Sequence, residues 1–429
     1  MRQSIIAMLC LSGSICLPAA GQSAWKEICE NPQLAAGKYY AYQAPETALT
    51  PSPEGYEPFY ISTFARHGSR YLTKQKKYEE PLRVLAEAEK QHGLTADGKR
   101  ALEIVKELAA EAEGRYGELT PKGAEQHREL VRRMYAAFPQ IFTEGVHVDA
   151  RSTYKTRAFL SMAAGCIELK GLNPRLVITT DASEHDSDFM KYKNPEYERL
   201  HLAGADSIYR LADSVYVHPE RLMKQLFTHP ATVQHPVKLM TDLFELDGIC
   251  QSSYGPQHLS FLFTDRERYD LWQRNNFEWY YEKGASPLSG SCMYQLERNL
   301  LNNFIAAADT VIASGKKGAT LRYGHDTNLA PLAVLMGINH LAKATDDWQQ
   351  IAETYRTYRI IPMCGNIQLI FYRHPEKDDI LVKLLLNERE VSLPIATDRA
   401  PYYHWKDVRN YWTQVVSSIN LPECQKDTD

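Results

Sequence analysis

A histidine flanked by two arginines is the feature of this 429-residue sequence that is best suited to chemistry. Arg66-His67-Gly68-Ser69-Arg70 follows Phe59 to Phe64, an apolar run of aromatic and β-branched residues that predicts a buried strand. In open α/β sheets, ligands bind beyond the carboxyl ends of strands. Arginines hold phosphate oxygens with paired, charge-assisted hydrogen bonds, and Gly68 permits close approach because it has no Cβ. The pattern predicts a phosphate site in which His67 is the nucleophile.

Two later strand ends carry further charged side chains. Val146 to Ala150 alternates like a strand, and Arg157 follows it in the first turn of a predicted helix, where amide donors favour an anion. Thr320 to Tyr323 predicts another strand, which is followed by His325 and Asp326. Clustered cationic groups disfavour one another in a partly dry cleft unless an anion compensates them. A tetrahedral phosphate has enough acceptor oxygens to be that partner.

The composition is that of a soluble globular protein. Hydrophobic residues make up 44% and charged residues 24% of the chain. The length favours one large domain with an insertion, or two domains. The formal net charge is -4, so no global field favours nucleic acid or an anionic membrane surface. We therefore expect no nucleic-acid partner, and any anion binding must be local.

The first 21 residues have the pattern of a cleavable signal peptide. Arg2 supplies the positive start, Ile5 to Leu17 is a short apolar run, and Ala19-Ala20-Gly21 offers small residues for cleavage. The run is too short to span a bilayer comfortably, and no later stretch reaches 18 apolar residues. The sequence predicts export to the periplasm or the medium, with no integral membrane segment.

Cysteine usage leaves the disulfide pattern open. Beyond residue 21 the cysteines are Cys29, Cys166, Cys250, Cys292, Cys364 and Cys424. Disulfides are permitted in an exported chain, but six cysteines allow 15 connectivities and buried unpaired thiols are an equal alternative. No CxxC spacing occurs, so we expect no structural metal.

Helical and strand-like patterns alternate in the first and last thirds, which predicts an α/β fold with a central, mostly parallel sheet flanked by helices. Residues 22–57 are predicted to be an irregular arm. Further predicted strands are 177–180, 359–362, 367–372, 380–386 and an edge strand at 391–394, with a hairpin around 387–389. Predicted helices are 78–91, 96–113, 121–138 (capped by Thr120), 158–169, 195–215, 219–226, 237–245, 266–281, 329–336 and 406–419.

This order of elements also predicts the domain organisation. Residues 22–185 form the first part of the α/β core, and 76–115 is a candidate contribution to a cap. Residues 186–299 have helical spacing and no good strand, so they predict an inserted α-helical cap. Residues 300–429 complete the core.

The motifs resemble those of the histidine acid phosphatases and phytases, a branch of the histidine phosphatase superfamily. The family's RHGxRxP motif matches residues 66–72, except that Leu72 replaces the proline, and Thr73-Lys74 continues the match to bacterial phytases. Without the fixed φ of proline, we expect a looser loop. The segment from Gly117 to Gln126 is similar to the family's Gly-x-Leu-Thr-x-x-Gly-x-x-Gln. The resemblance spans residues 59–372.

The later motifs carry the same resemblance. Arg157 matches the family's downstream pocket arginine, and His325-Asp326 matches its HD motif. Thr153 to Arg157 is also similar to the multiple inositol polyphosphate phosphatases, which have His-Ala-Glu where this chain has His325-Asp326.

The resemblance implies a role for each residue. His67 would attack phosphorus and form a phosphohistidine, and Asp326 would protonate the leaving alcohol and then activate water. The residues that would bind the phosphate are Arg66, Arg70, Arg157 and His325. Lys74 is either a substrate contact or a solvated charge. Neither a metal nor another cofactor is required, because arginines supply the positive charge.

We therefore expect an exported acid phosphatase that acts on phytate and other inositol polyphosphates. Two alternatives share the catalytic core: a sugar-phosphate phosphatase, similar to glucose-1-phosphatases, and a general acid phosphomonoesterase. A more remote alternative is a non-catalytic phosphate-binding relative, and the presence of both His67 and Asp326 argues against it.

Overall fold

The computed structural model describes residues 23–190, 205–255 and 258–420. The predicted signal peptide, Cys424 and the first ten residues of the predicted helix 195–215 lie outside these ranges. The strands of the described chain are β1 Glu57–Arg66, β2 His147–Ser152, β3 Val177–Asp181, β4 Gly318–Gly324, β5 Asn366–His374, β6 Lys377–Leu386, β7 Arg389–Glu390 and β8 Tyr402–His404.

These strands form one sheet with the order β3-β2-β4-β1-β5-β6-β7, and β8 pairs with β6. β3, β2, β4 and β1 are parallel neighbours, whereas β5 and β6 continue the sheet in antiparallel pairing. The expected α/β fold, a mixed and mostly parallel sheet flanked by helices, is confirmed. Because the parallel strands end at one edge, the loops after β1, β2 and β4 lie side by side.

Helices cover both faces of the sheet. The helices of the described chain are α1 Ala24–Glu30, α2 Lys76–Lys90, α3 Ala96–Ala112, α4 Pro121–Ala137, α5 Thr156–Leu172, α6 Ala205–Tyr216, α7 Glu220–Leu226, α8 Pro236–Cys250, α9 Asp265–Lys283, α10 Arg298–Ser314, α11 Asp326–Leu335, α12 Trp348–Thr354, α13 Thr357–Ile360 and α14 Trp405–Ser417. One face packs on α4 and α5 through residues such as Met134 and Met162. The other face packs on α10, α11 and α14 through residues such as Phe304 and Trp412.

A further hydrophobic cluster packs helices against one another and contains no strand residue. Leu85 of α2 and Leu102 of α3 are buried together with Leu222 of α7 and Leu243 of α8. Between 186 and 299, the described residues form helices and 3₁₀ turns and contain no strand. The division into core and cap stays a prediction. No helix in the described part of the chain is long and apolar enough to cross a membrane.

Two predicted strands are wrong. Residues 359 and 360 belong to α13, and residues 361 and 362 follow it. The first amide of α13, that of Thr357, donates to Asn276 Oδ1 of α9 at 2.9 Å, so tertiary contact outweighs the β-branched composition. Residues 391–394 form no strand, and only the two residues before them, Arg389–Glu390, pair as β7. Beyond Val391, the Leu393 N–H donates to the Tyr403 hydroxyl at 2.9 Å and not to a neighbouring strand. The predicted hairpin around 387–389 is confirmed by the β6–β7 pairing.

The N-terminal arm is also more ordered than the sequence predicts. It contains α1 and a 3₁₀ segment, Pro32–Tyr39. Glu27 of α1 is buried, and its carboxylate accepts hydrogen bonds from Arg356 at 2.9 Å and from the Tyr358 hydroxyl at 2.7 Å. This ion pair fixes the arm against α13.

Five of the six cysteines predicted for the mature chain lie in the described ranges, and all five are unpaired thiols: Cys29, Cys166, Cys250, Cys292 and Cys364. Packing therefore holds this part of the fold together without a disulfide.

The loop after β1 lies directly against the first turn of α4. A Cβ on Gly68 would come within 2.2 Å of the Gly123 carbonyl oxygen, and one on Gly123 within 2.2 Å of the Ser69 carbonyl oxygen. Thr120 caps α4 as predicted, accepting from the Gly123 amide at 3.2 Å. Its hydroxyl also lies 3.1 Å from the Ser69 carbonyl, so this cap helps to position the loop.

We expect Gly123→Ala to lower the free energy of unfolding by about 1–3 kcal/mol, because the added methyl group meets backbone that cannot move aside. Gly171→Ala is the matched control, since a Cβ on Gly171 of α5 meets nothing within 4 Å. Chemical denaturation of both variants measures the difference. Equal stability of the two variants would contradict the close packing of loop and helix.

Candidate active site

Six of the seven predicted site residues come together at the carboxyl edge of β1, β4 and β2. The strand register places Arg66 opposite Gly324, and Ser152 opposite Tyr323. The loops that follow these positions carry the charged side chains. The residues that the structure brings together are Arg66, His67, Arg70, Arg157, His325 and Asp326; all are buried except Arg157, which is half-buried.

The His67 ring has a defined tautomer. Nδ1 lies 2.9 Å from the Gly68 carbonyl oxygen, which can only accept, so Nδ1 carries the proton and Nε2 keeps its lone pair. Burial lowers the pKa of His67 well below its ordinary value, and the charges of Arg66, Arg157 and Arg70 lower it further. The imidazole is therefore neutral at mildly acidic pH, as a nitrogen nucleophile must be.

The backbone of the loop after β1 is held by contacts from several elements. The His67 amide donates to the Gly324 carbonyl at 2.9 Å, and the His67 carbonyl accepts from the Cys364 amide at 3.0 Å. Gly68 N–H donates to Ser161 Oγ at 3.1 Å, and Ser69 N–H donates to Gln126 Oε1 at 2.8 Å. These contacts give the loop one conformation, which fixes where the imidazole lies.

Arg66 connects three parts of the chain. Its Nη1 donates to the Lys38 carbonyl at 2.5 Å and to the Ile361 carbonyl at 2.6 Å. Its Nη2 lies 2.7 Å from Asp326 Oδ2. Burial lowers the pKa of Arg66 to about 10, against the opposing effect of Asp326, so the guanidinium remains charged throughout the acidic range.

Asp326 begins α11, and its Oδ1 accepts from the Thr327 amide at 2.9 Å. Burial acts to raise the pKa of this carboxyl, but Arg66 and Arg70, with smaller contributions from Lys38 and His325, outweigh it. The pKa of Asp326 is therefore held well below its ordinary value, and the side chain is ionised in the unliganded protein.

His325 lies next to both His67 and Arg157. Its ring centroid is 5.5 Å from that of His67. Its Nε2 is 2.8 Å from Thr153 Oγ1, and its Nδ1 is 3.4 Å from Nη2 of Arg157, the second residue of α5. Burial and the charge of Arg157 lower the pKa of His325 well below its ordinary value.

Two arginine donors at the site are buried without a protein acceptor. Within the described ranges, Nε of Arg66 and Nε of Arg70 make no hydrogen bond. Arg70 is otherwise held by a bond to the Tyr71 carbonyl at 2.9 Å and lies over the Tyr39 ring, 5.6 Å from its centroid. Leaving buried donors unsatisfied is costly, and an anion with several acceptor oxygens would satisfy both.

Lys74, the seventh predicted residue, is on an exposed turn and forms no ion pair in the described part of the chain. Leu72, which stands at the family's proline, is buried and well anchored. Its N–H donates to the Tyr78 hydroxyl at 2.8 Å, a bond that proline lacks, and its carbonyl accepts from Gly117 at 2.9 Å. These bonds, rather than a fixed φ, hold this loop.

The sequence reasoning missed several groups that build the site. Two of them could have been predicted from the sequence. Gln126 belongs to the segment that resembles the family motif, and Thr153 lies in the matched run before Arg157. Lys38 and Tyr39 had no such signal, since they belong to the arm that was predicted to be irregular. No group of three or more histidine, cysteine, aspartate or glutamate side chains in the described chain could hold a metal ion.

The fold and sequence are similar to those of known phosphatases. Multiple inositol polyphosphate phosphatase 1 of Gallus gallus is 24% identical over 426 residues, which cover 94% of this chain and 91% of that protein. The crystal structure of Bifidobacterium longum multiple inositol polyphosphate phosphatase with phosphate has a TM-score of 0.74 at 18% identity, and the match covers 89% of this chain and 98% of that one.

A phytase from D. castellii has a TM-score of 0.64 at 14% identity, over 90% of this chain and 86% of that one. At such identities these structures establish the fold alone. The family profile described as the histidine phosphatase superfamily (branch 2) matches residues 61–387, which is more than half of the sequence. The chain therefore belongs to branch 2 of the histidine phosphatase superfamily.

Proposed function

We propose that this phosphoric monoester hydrolase removes phosphate from inositol polyphosphates, phytate above all, through a phosphohistidine intermediate. The observation that carries the proposal is the neutral, buried His67, with its free Nε2 lone pair, beside arginine donors that lack an acceptor. This arrangement suits a nucleophile directed at a bound phosphoryl group.

In the first step, His67 Nε2 forms a bond to phosphorus as the bond from phosphorus to the leaving oxygen breaks. Arg66, Arg70, Arg157 and His325 stabilise the charge that is spread over the transferring oxygens. Asp326 gives its proton to the leaving alkoxide, so that a neutral alcohol departs. In the second step water attacks phosphorus, Asp326 accepts the proton from water, and inorganic phosphate and the free imidazole are regenerated.

Asp326 must be protonated before the first step, although the arginines keep it ionised in the unliganded protein. A bound phosphate brings negative charge to the same arginines and so raises the pKa of the carboxyl. Below about pH 6 a phosphomonoester also retains one proton, which is available to Asp326. This proposal therefore requires activity at acidic pH.

The names of the relatives support the substrate class. The curated relatives from Gallus gallus and Homo sapiens are both multiple inositol polyphosphate phosphatases. The B. longum enzyme of that name has been crystallised with inositol hexasulfate. The signal-peptide pattern of residues 1–21 supports the further proposal that the enzyme is exported and acts outside the cytoplasm.

A panel of substrates tests the proposed reaction. We expect phosphate release from phytate, glucose 1-phosphate and p-nitrophenyl phosphate in excess EDTA, with the highest kcat/KM for phytate. With alcohol leaving groups, kcat should fall above about pH 6, where the substrate loses its proton. A preference for glucose 1-phosphate, or equal kcat/KM on all three, would favour the sugar-phosphate or general phosphatase. No release from any of them would identify a binding protein.

We expect His67→Ala to reduce turnover by more than about 10³-fold, because it removes the group that forms the covalent intermediate. Acid-quenched reactions with ³²P-labelled substrate should yield phosphohistidine from the wild-type protein only. His147→Ala is the control, since His147 is exposed at the start of β2 and bonds only to Thr179 in the described chain. Labelled phosphohistidine in the His67→Ala protein would contradict the assignment.

We expect Asp326→Asn to slow phytate hydrolysis by roughly 10²–10⁴-fold, because an alkoxide leaves poorly without a proton. The loss on p-nitrophenyl phosphate should be much smaller, since nitrophenolate departs without protonation. Steady-state kinetics on both substrates measure the ratio of the two losses. The same loss on both would remove Asp326 from the role of general acid.

A further inference from the structure

A buried glutamate is bonded to the first turn of α11, the helix that begins with Asp326. Glu297 ends the 3₁₀ turn Met293–Glu297, directly before α10, and this turn packs against α11. Its side chain is buried, and Asn328 Nδ2 donates to its Oε1 at 3.2 Å and to its Oε2 at 3.4 Å. Burial removes the hydrogen bonds that a carboxyl makes to water, so it needs a partner in the protein. The pair ties the third residue of α11 to the segment before α10.

Asn328 and Asp326 belong to the same helical turn. The amides of Asn328 and Leu329 both donate to the His325 carbonyl, at 3.2 Å and 3.0 Å. A Cβ on Gly324 would lie 3.4 Å from Asn328 Oδ1, so the Asn328 side chain packs against the end of β4. Because the two residues share one rigid turn, a shift of Asn328 would move Asp326 with it.

The residue before α11 does not use its side chain as a cap. Within the described chain, the His325 ring makes no capping bond to the helix, and it is directed instead to Thr153 and Arg157. A helix start without a capping side chain depends on other contacts for its position. The bond between Glu297 and Asn328 is such a contact, and it comes from outside the helix.

Glu297 is uncharged under the acidic conditions that the proposed reaction requires. Burial raises the pKa of Glu297 to about 8, against smaller opposing effects of the bond from Asn328 and the charge of Lys283, the buried last residue of α9. At acidic pH its carboxyl therefore accepts from Asn328 as a neutral group, much as an amide would. Glutamine should replace it, whereas methionine has a similar size but no oxygen to accept the bond.

We propose that Glu297 is a positioning residue for Asp326. By holding Asn328, it keeps the first turn of α11 where the Asp326 carboxyl can reach the leaving oxygen. A general acid acts only within hydrogen-bond reach of the atom that it protonates. A misplacement of about 1 Å can lower a rate by roughly 10²-fold. This inference rests on the proposed function, and within it on the role of Asp326 as the general acid.

Steady-state kinetics on two leaving groups test this role. We expect Glu297→Met to lower kcat for phytate by about tenfold or more, but kcat for p-nitrophenyl phosphate by less than about threefold, since nitrophenolate departs without a proton. Glu297→Gln should restore phytate turnover to within about threefold of wild type, because its amide oxygen accepts from Asn328. Asn328→Ala removes the same bond and keeps a good helix former, so it should show the same selective loss. It carries the test if Glu297→Met does not fold.

The Asp326→Asn background separates the positioning of Asp326 from a general effect on the fold. In that background Glu297→Met should lower phytate turnover by less than about threefold, because the group that it positions is already lost. Glu267→Met is the structural control. Glu267 of α9 is half-buried and accepts from Thr264 and Arg221. Its replacement should leave the ratio of the two kcat values unchanged.

Three results would overturn the inference: no loss in the Glu297 and Asn328 variants, equal losses on both substrates, or an undiminished loss in the Asp326→Asn background. Each of them contradicts the inference alone when Asp326→Asn by itself shows the selective loss on phytate. If Asp326→Asn slows both substrates equally, the proposed general acid is wrong and the inference fails with it.

Discussion

The burial of Arg66 is the constraint on which the rest of the site depends. A guanidinium removed from water must find partners inside the protein, or its desolvation is not offset. Arg66 finds them in three places: the Lys38 carbonyl of the arm, the Ile361 carbonyl after α13, and the Asp326 carboxylate. Satisfying one buried side chain thus joins the N-terminal arm, the sheet edge and α11 into a single structure.

The same cluster of positive charge affects the protonation of His67 and Asp326, the two residues to which the proposed mechanism assigns a chemical step. It adds to burial, which is the largest effect, in keeping His67 neutral, as the proposed nucleophile must be, and it keeps Asp326 ionised, which is the opposite of what the proposed general acid requires. A bound phosphate group changes only the ionisation of Asp326, because its negative charge offsets the arginines around the carboxyl. In the proposed mechanism Asp326 therefore becomes an effective acid only when substrate is bound, whereas His67 is neutral beforehand.

The central part of this arrangement could be predicted from sequence because parallel strands end at one edge. Arg157 and His325 are far apart in the chain, yet each follows a strand whose place in such a sheet is constrained. Lys38 could not be found this way, because its link to the site is a backbone carbonyl, which any residue type supplies. The β-branched composition of residues 359–362 predicts a strand, whereas the first two of them complete α13, whose first amide is bonded by Asn276. Local pattern carries no information about such a partner.

The contacts of the arm also have a consequence for biosynthesis. Glu27 and Arg356 are 329 positions apart, and Arg66 and Ile361 are 295 apart. Such non-local contacts form late, because the intervening chain must first be brought together. A ribosome releases the N-terminal arm long before its partners emerge, so an unfinished chain lacks the interactions that hold Arg66 in place. We therefore expect phosphatase activity only once the chain is nearly complete.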